Sequence, residues 1–248
     1  MKTRLFFLAV WTSLFLFAAS LSASDFSKPD KEGFVSIFNG ADLTGWEGGP
    51  DAWRVEDGVI IGESTPEKPC KKTHYLYWTE KEPDNFHLKL TFRLRGESAN
   101  SGIQFRSEKR PNWDTFGYQA DVDQSLQWTG CLFHHTRGAV VQRGFDNKIA
   151  PDGKVEVHQI ADGKKLVEVY KPNDWNEYEV IADGSVLTLI INGKQMCRVD
   201  DRHATESAQS GVLALQMHQG APMKVEFKDI RIKLLPKEKD SDAKTGKE

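Results

Sequence analysis

The sequence predicts an all-β fold, a sandwich or jelly roll of two antiparallel sheets, and three observations predict it. First, Phe86-His-Leu-Lys-Leu-Thr-Phe-Arg-Leu94 alternates apolar and polar residues without a break. Phe86, Leu88, Leu90, Phe92 and Leu94 fall on one side, and His87, Lys89, Thr91 and Arg93 on the other, as in a strand with one face in a core and one in water. Second, turn signals recur at Asp57-Gly58, Asp152-Gly153, Asp162-Gly163, Asp183-Gly184 and Asn192-Gly193. Such pairs tolerate the positive φ of type I′ hairpins, whose twist matches the flanking strands. Third, no segment sustains an i, i+3, i+4 apolar period over three turns. Many strands at hairpin spacing with no helical layer imply two packed sheets.

In chain order, residues 1–23 read as an export signal. Lys2 and Arg4 precede an apolar run over 5–19 interrupted only by Thr12 and Ser13, and small residues then crowd 18–24. These are the basic, apolar and small-residue zones of a secretory signal, with cleavage between Ser20 and Ser24. The run is shorter than the roughly 20 residues of a membrane span. Residues 24–32 form an N-terminal segment and 33–235 the sandwich domain. Strands are expected at 34–38, 58–62, 75–79, 86–94, 102–106, 116–122, 130–134, 154–160, 164–170, 177–182, 185–191, 195–199, 211–218 and 223–234. In the last of these Val225 and Phe227 share one parity, but Ile230, Ile232 and Leu234 share the other. A bulge near Lys228-Asp229 would restore a single inward face. A short helix is expected within 203–209. Residues 236–248 form a charged tail whose only apolar residue is Ala243, a composition expected to be disordered.

A chain of 248 residues that is 39% hydrophobic and 28% charged, with three Cys, excludes collagen, a disulfide-stapled miniprotein and a mostly disordered polymer. A net charge of −3 offers no basic footprint, so nucleic acid is not an expected partner. No stretch after residue 24 is apolar for long enough to span a bilayer. The expected location is therefore periplasmic or extracellular; oligomeric state is left open. Cys70, Cys131 and Cys197 allow one bridge plus a free thiol in three pairings, or three buried small hydrophobes.

On a central strand, alternate residues point away from the core, and polar ones on neighbouring strands line a groove. Ser101-Gly-Ile-Gln-Phe-Arg106 gives Gln104 and Arg106 one parity; Gly117-Tyr-Gln-Ala-Asp-Val122 does so for Gln119 and Asp121; Gly211-Val-Leu-Ala-Leu-Gln-Met-His218 does so for Gln216 and His218. Together they supply donors, acceptors and proton carriers suited to a hydroxyl-rich ligand. Indole faces stack on sugars, and Trp113 and Trp128, beside polar loop stretches, are the candidate platforms; Trp46, Trp53 and Trp175 read as packing residues. The run His134-His135-Thr-Arg137 is dense in proton-transfer and cationic groups, yet adjacent strand residues face opposite ways, so one His at most enters a given groove. No catalytic metal or cofactor is expected, because metal-ligand spacing, a P-loop, Gly-x-Ser-x-Gly and a strand-linked GxGxxG are all missing, while a structural Ca2+ held by loop carboxylates and carbonyls is left open. Ordinary glycosidases set two carboxyl groups across the scissile bond, but the Glu-x-Asp-x-x-Glu strand pattern of jelly-roll glucanases is also missing.

Phe38-Asn-Gly-Ala-Asp-Leu-Thr-Gly-Trp46 and Trp53-Arg-Val-Glu-Asp-Gly-Val-Ile60 resemble the opening of the 3-keto-disaccharide hydrolase domain family. Asn100-Ser-Gly-Ile-Gln-Phe-Arg106, Gly117-Tyr-Gln119, Trp175-Asn176 and Ile191-Asn-Gly193 are similar to its middle blocks, and 211–218 and 225–233 to its closing strands. The resemblance implies a concanavalin A-like lectin/glucanase jelly roll, export from a bacterium, and hydrolysis of 3-keto-glycosides. A C3 ketone acidifies the C2 hydrogen, so a base removes that proton, the oxygen at C1 leaves by β-elimination, and water adds to the enone. Such a site needs one base, one acid and an enolate stabiliser rather than two opposed carboxylates. Asp121 or His134 is the candidate base or acid, with His218 and Glu63 as further proton-transfer candidates. Gln104, Arg106, Gln119 and Gln216 would hold the keto-sugar, with Trp113, Trp128 and Arg137 as further binding candidates. The alternatives are a non-catalytic, lectin-like carbohydrate-binding domain and a structural or adhesive surface domain.

Overall fold

The computed structural model describes residues 28–237; the expected export segment over 1–23 and the tail beyond residue 237 lie outside the described residues. In chain order the strands are β1 (Val35–Ser36), β2 (Trp46–Gly48), β3 (Trp53–Glu56), β4 (Val59–Ser64), β5 (His74–Trp78), β6 (Phe86–Arg95), β7 (Asn100–Arg110), β8 (Asp114–Asp123) and β9 (Leu132–His134). They continue as β10 (Gly138–Val141), β11 (Phe145–Ile149), β12 (Val155–Gln159), β13 (Asn176–Asp183), β14 (Val186–Ile191), β15 (Lys194–Asp201), β16 (Val212–Met217) and β17 (Met223–Leu234). A ten-stranded sheet runs β12-β11-β15-β14-β13-β6-β17-β4-β3 with β1 added against β17; a seven-stranded sheet runs β10-β9-β8-β7-β16-β5-β2. The fold is the predicted jelly-roll sandwich with one departure from two antiparallel sheets: β11 pairs β15 in parallel. The chain reaches β11 directly from β10 in the other sheet, so no hairpin imposes the antiparallel sense.

The core lies between the sheets. β6 buries Phe86, Leu88, Leu90, Phe92 and Leu94 and leaves the intervening residues half-buried, as its alternation requires. Opposite it stand Ile103 and Phe105 of β7, Tyr118, Ala120 and Val122 of β8, and Leu213 and Leu215 of β16. The Phe86 and Phe105 rings meet edge to face across the layer at 6.1 Å, and burying a ring of this kind contributes about 2 kcal/mol.

The β3–β4 turn places Asp57 at φ 49° and Gly58 at 76°, and the β14–β15 turn places Asn192 at 48° and Gly193 at 74°, both in the sense type I′ demands. The predicted bulge appears as a register shift between Lys228 and Arg231, with Asp229 at φ 51°. Other expectations are corrected. β13 runs through Asp183, which pairs Val186, so the turn is Gly184-Ser185. Asp162-Gly163 is a helix start instead of a hairpin: Asp162 accepts the Lys164 N–H at 2.9 Å, capping α1 (Gly163–Leu166). A 3₁₀ turn, Val167–Val169, follows, so 164–170 is not a strand. Residues 203–209 form a turn in place of the expected helix: one i→i+4 backbone bond, Ser207 N–H to His203 O at 3.3 Å, is made, and side-chain bonds satisfy the groups around it. His203 Nδ1 accepts the Thr205 and Glu206 N–H groups, and the Ser207 hydroxyl donates to the His203 carbonyl. Cys70, Cys131 and Cys197 are buried free thiols. No helix among the described residues is long and apolar enough to cross a membrane.

Candidate active site on the outer face of the seven-stranded sheet

β8 turns Tyr118, Ala120 and Val122 into the core, which leaves Gln119, Asp121 and Asp123 on the outer face. β16 likewise turns Gln216 outward, and β5 turns Tyr75 outward while Leu76 faces the core. A basin of about 330 Å3 opens over these strands. Tyr75, Gln119, Asp121 and Gln216 line it, with Trp128, Phe133 and His135 on one flank and Thr73 and His218 on the other.

The floor is a directed chain of amides. The Ser107 hydroxyl donates to Gln104 Oε1 at 2.7 Å, and Gln104 Nε2 donates to Gln119 Oε1 at 2.8 Å. Gln119 Nε2 in turn donates to Asp121 Oδ1, and at 3.4 Å to Gln216 Oε1. Gln216 Nε2 then donates to the Tyr75 hydroxyl at 3.0 Å. Each amide has its oxygen occupied by the one before it, so the chain aims an N–H at Asp121 and leaves the Tyr75 proton free to donate. Gly102 makes room: a Cβ there would lie 2.8 Å from Gln119 Cγ.

Asp121 is 4% exposed, and among the described residues its carboxyl receives only the Gln119 amide as a hydrogen-bond partner. Burial pushes its carboxyl up to about 7; the Gln119 bond opposes the rise and the nearby Asp123 charge adds to it. A carboxyl with that value accepts and returns protons at neutral pH. Asp123, two residues on, is spent on structure: its carboxylate accepts the Trp128 and Thr129 N–H groups at 2.9 Å and thereby shapes the loop that presents Trp128. The Trp128 and Phe133 rings meet edge to face at 6.2 Å, and His135 meets Phe133 at 5.7 Å. Asn100 contributes a buried Oδ1 with no partner to the basin lining.

Of the residues singled out from sequence, Asp121, Gln119, Gln216, His218 and Trp128 line this basin, and Gln104 supports it from beneath. Five others lie elsewhere. His134 shares the inward parity of Leu132, stacks edge to face on Tyr118 at 5.0 Å, and lines a separate cleft with Arg106 and Phe116; burial and Arg137 hold its imidazole down to about 4. Its neighbour His135 takes the outward place. Arg106 leaves the groove because a bulge between Phe105 and Glu108 puts it at φ 45°. Its guanidinium donates to the carbonyls of Asp84 and Gly184 and to Asn85 Oδ1, which ties strand ends of the two sheets together. Arg137 pairs with Asp201 at 2.7 Å and with the Tyr118 hydroxyl. Glu63 stands on β4 of the opposite sheet, paired with Arg54 at 2.6 Å. Trp113 packs on Tyr77 at 6.3 Å beside the basin instead of lining it.

Sequence reasoning missed Tyr75, Asn100 and Phe133, and of the His134-His135 pair it named His134 as the proton-transfer candidate where His135 lines the basin. Tyr75 was detectable, since Leu76 and Trp78 fix the inward parity of β5. The parity that brings Phe133 and His135 outward was not, because Leu132 and Phe133 are equally apolar and either choice would serve. Among the described residues no group of three or more His, Cys, Asp or Glu is placed to hold a metal ion.

Comparison with known proteins gives a family model, described as a 3-keto-alpha-glucoside-1,2-lyase-like domain, that matches residues 33–233. Among solved structures the chain is similar to a candidate glycosyl hydrolase from Parabacteroides distasonis ATCC 8503 at 21% identity and a TM-score of 0.55, covering 85% of this chain and 99% of that one. A second candidate glycosyl hydrolase from the same organism matches at 19% identity and 0.54, covering 82% and 99%. A carbohydrate-binding module, CBM66 from Bacillus subtilis, matches at 14% identity and 0.50, covering 77% and 96%. At these identities the likenesses establish the fold. No curated protein matches the chain.

Proposed function

The chain belongs to the 3-keto-alpha-glucoside-1,2-lyase-like domain family, and from that premise we propose that it is an exported enzyme that cleaves glycosidic bonds of 3-keto-glycosides by elimination and hydration. The observation that carries the reading is Asp121: a carboxyl at the floor of an open basin, raised to about 7 and held by one amide. A lectin has no use for such a group, whereas abstraction of a C2 proton made acidic by a C3 ketone requires one.

In this reading the sugar lies on the floor of the basin, flanked by the Trp128 and Phe133 rings. The Asp121 carboxylate takes the C2 proton; the electron pair moves onto the C3 oxygen as an enolate. The Tyr75 hydroxyl, polarised by the Gln216 amide, donates to that oxygen. As the enolate collapses, the C1–O bond breaks. The leaving oxygen takes a proton from His135, whose Nδ1 is engaged by the Gly117 backbone at about 3 Å and whose other ring nitrogen remains available. Water then adds at C1 and gives its spare proton to His135, C2 regains a proton from Asp121, and one water is consumed per bond cleaved with both side chains restored. Asn100 Oδ1 supplies an acceptor for a sugar hydroxyl.

The test is incubation of the protein with a 3-keto-glycoside and, separately, its parent glycoside in deuterated water. Release of aglycone from the keto form alone, with deuterium at C2 of the sugar product, is expected. Binding without release, or cleavage of both forms alike, would overturn the assignment.

A further inference from the structure

The ten-stranded sheet ends on β12, and every residue of this strand is exposed, Val155 at 47% and Val157 at 58%. A bare edge carrying alternate apolar side chains is a template for another strand. The opposite edge of the sheet, β3, is shorter and carries the charged Arg54 and Glu56.

Which backbone groups β12 offers follows from its hairpin with β11. Residues pair as Phe145 with Gln159, Asn147 with Val157, and Ile149 with Val155. At one end the Ala150 N–H donates to Lys154 O at 2.9 Å, and at the other the Ile160 N–H donates to Gly144 O at 2.8 Å. Antiparallel ladders alternate bonded and non-bonded pairs, so Glu156 and His158 bond inward to β11. Val155, Val157 and Gln159 therefore point their N–H and C=O groups outward.

We infer that this edge is a self-association surface, on which two copies of the chain pair β12 with β12 antiparallel about a dyad at Val157. The register is self-complementary. Val157 exchanges both backbone bonds with Val157 of the second copy, and Val155 does so with Gln159. Glu156 then falls opposite His158 of the second copy, in the non-bonded pairing where side chains approach closest. Within each hairpin Lys148 neighbours Glu156 and Asp146 neighbours His158, and Arg198 pairs with Asp146 at 2.9 Å. Across the junction the row thus reads Lys148, Glu156, then His158, Asp146 and Arg198 of the second copy, with no like charges adjacent. A closed, isologous contact of this kind stops at two copies.

Five residues a side bury less than a standard interface of about 1,600 Å2, so a dissociation constant on the order of 10 to 100 µM is expected. Sedimentation equilibrium from about 5 to about 500 µM should show the mass rising from monomer toward dimer across that range. Val157→Pro removes an outward N–H that its own hairpin does not use; it should keep the circular dichroism spectrum and abolish the rise, while Val157→Thr preserves it. In amide exchange by NMR, Val155, Val157 and Gln159 should slow with rising concentration, and Glu156 and His158 should not. A monomer at every concentration, or a dimer that survives Val157→Pro, would overturn the inference. So would concentration-independent protection of those three amides, which would give the edge to a segment of the same chain.

Discussion

Two carboxylates sit on the outer faces of the two sheets, each 4% exposed, and they have opposite fates. On the ten-stranded sheet Glu226 lies between Arg93 and Arg95, with Nε of Arg93 at 2.8 Å and Nη2 of Arg95 at 2.5 Å. Those guanidiniums overcome the burial penalty and hold the Glu226 carboxyl below its ordinary value. On the seven-stranded sheet Asp121 faces the same penalty with one neutral amide to offset it, and its carboxyl rises to about 7. Burial is common to both; compensation is what differs. A charge that is buried and paired is a structural part, and one that is buried and left wanting a proton is a chemical one.

The most direct way to break that contrast is to remove the charges. Asp121→Asn should lower turnover of a 3-keto-glycoside by about 10³-fold with the fold intact, within the range for loss of a general base; activity within tenfold of the wild type would dismiss Asp121 as the base. Stability should then move in opposite directions. Because the folded carboxyl of Asp121 lies above its ordinary 3.8, the folded state holds the extra proton between those values. Its stability therefore falls as pH rises from 4 through 7. Asp121→Asn removes this liability and should stabilise the protein at pH 8 by up to about 4 kcal/mol, with no gain at pH 4. Glu226→Gln leaves two guanidiniums unmatched and should destabilise it at pH 8 by about 3 kcal/mol. Urea melts at both pH values read the pair.

The contrast was half legible in the sequence. Strict alternation in β6 and the Gly-x-Leu-Ala-Leu register of β16 placed the core, and parity then brought Gln119, Asp121 and Gln216 to one face. Where a strand keeps its pleat, parity is a geometric rule with no free parameter. It failed at Arg106 because the bulge after Phe105 reverses the count, and nothing in Phe-Arg-Ser-Glu marks a bulge as the parity change from Phe227 to Ile230 does in β17. It failed at His134 because Leu132 and Phe133 compete for the inward place. The distinction between Asp121 and Glu226 was beyond parity altogether. It depends on which cations cross from β6 to β17, a matter of strand adjacency that one sequence leaves open.

The pH dependence of catalysis sharpens the comparison further. If the Asp121 base must be ionised to act, kcat/KM should fall about tenfold per pH unit below about 7 and level off above it. Arg93→Lys, which perturbs the Glu226 cluster and the Trp175 stack on the other sheet, should leave that inflection where it is. A profile flat from pH 5 to 8 would mean that Asp121 takes no part in the rate.

The smallest effect concerns the two half-buried tryptophans on these faces. Trp175 is covered by cations, with Arg93 at 4.3 Å and Lys228 at 4.4 Å from its ring. Trp128 lines the basin against Phe133 with its loop tied down by Asp123, which leaves it ring surface for a sugar. Trp128→Ala should raise KM for a keto-glycoside by about tenfold with kcat little changed, the signature of lost binding felt equally in ground and transition states. Trp175→Ala should leave both constants alone and lower stability by about 1 kcal/mol through its lost cation contacts. Equal kinetic losses in the two variants would mean that the effect at Trp128 is a general loosening of the sandwich. A loss confined to Trp128 would tie the sugar platform to the same face as the uncompensated carboxyl, where one ligand can engage both.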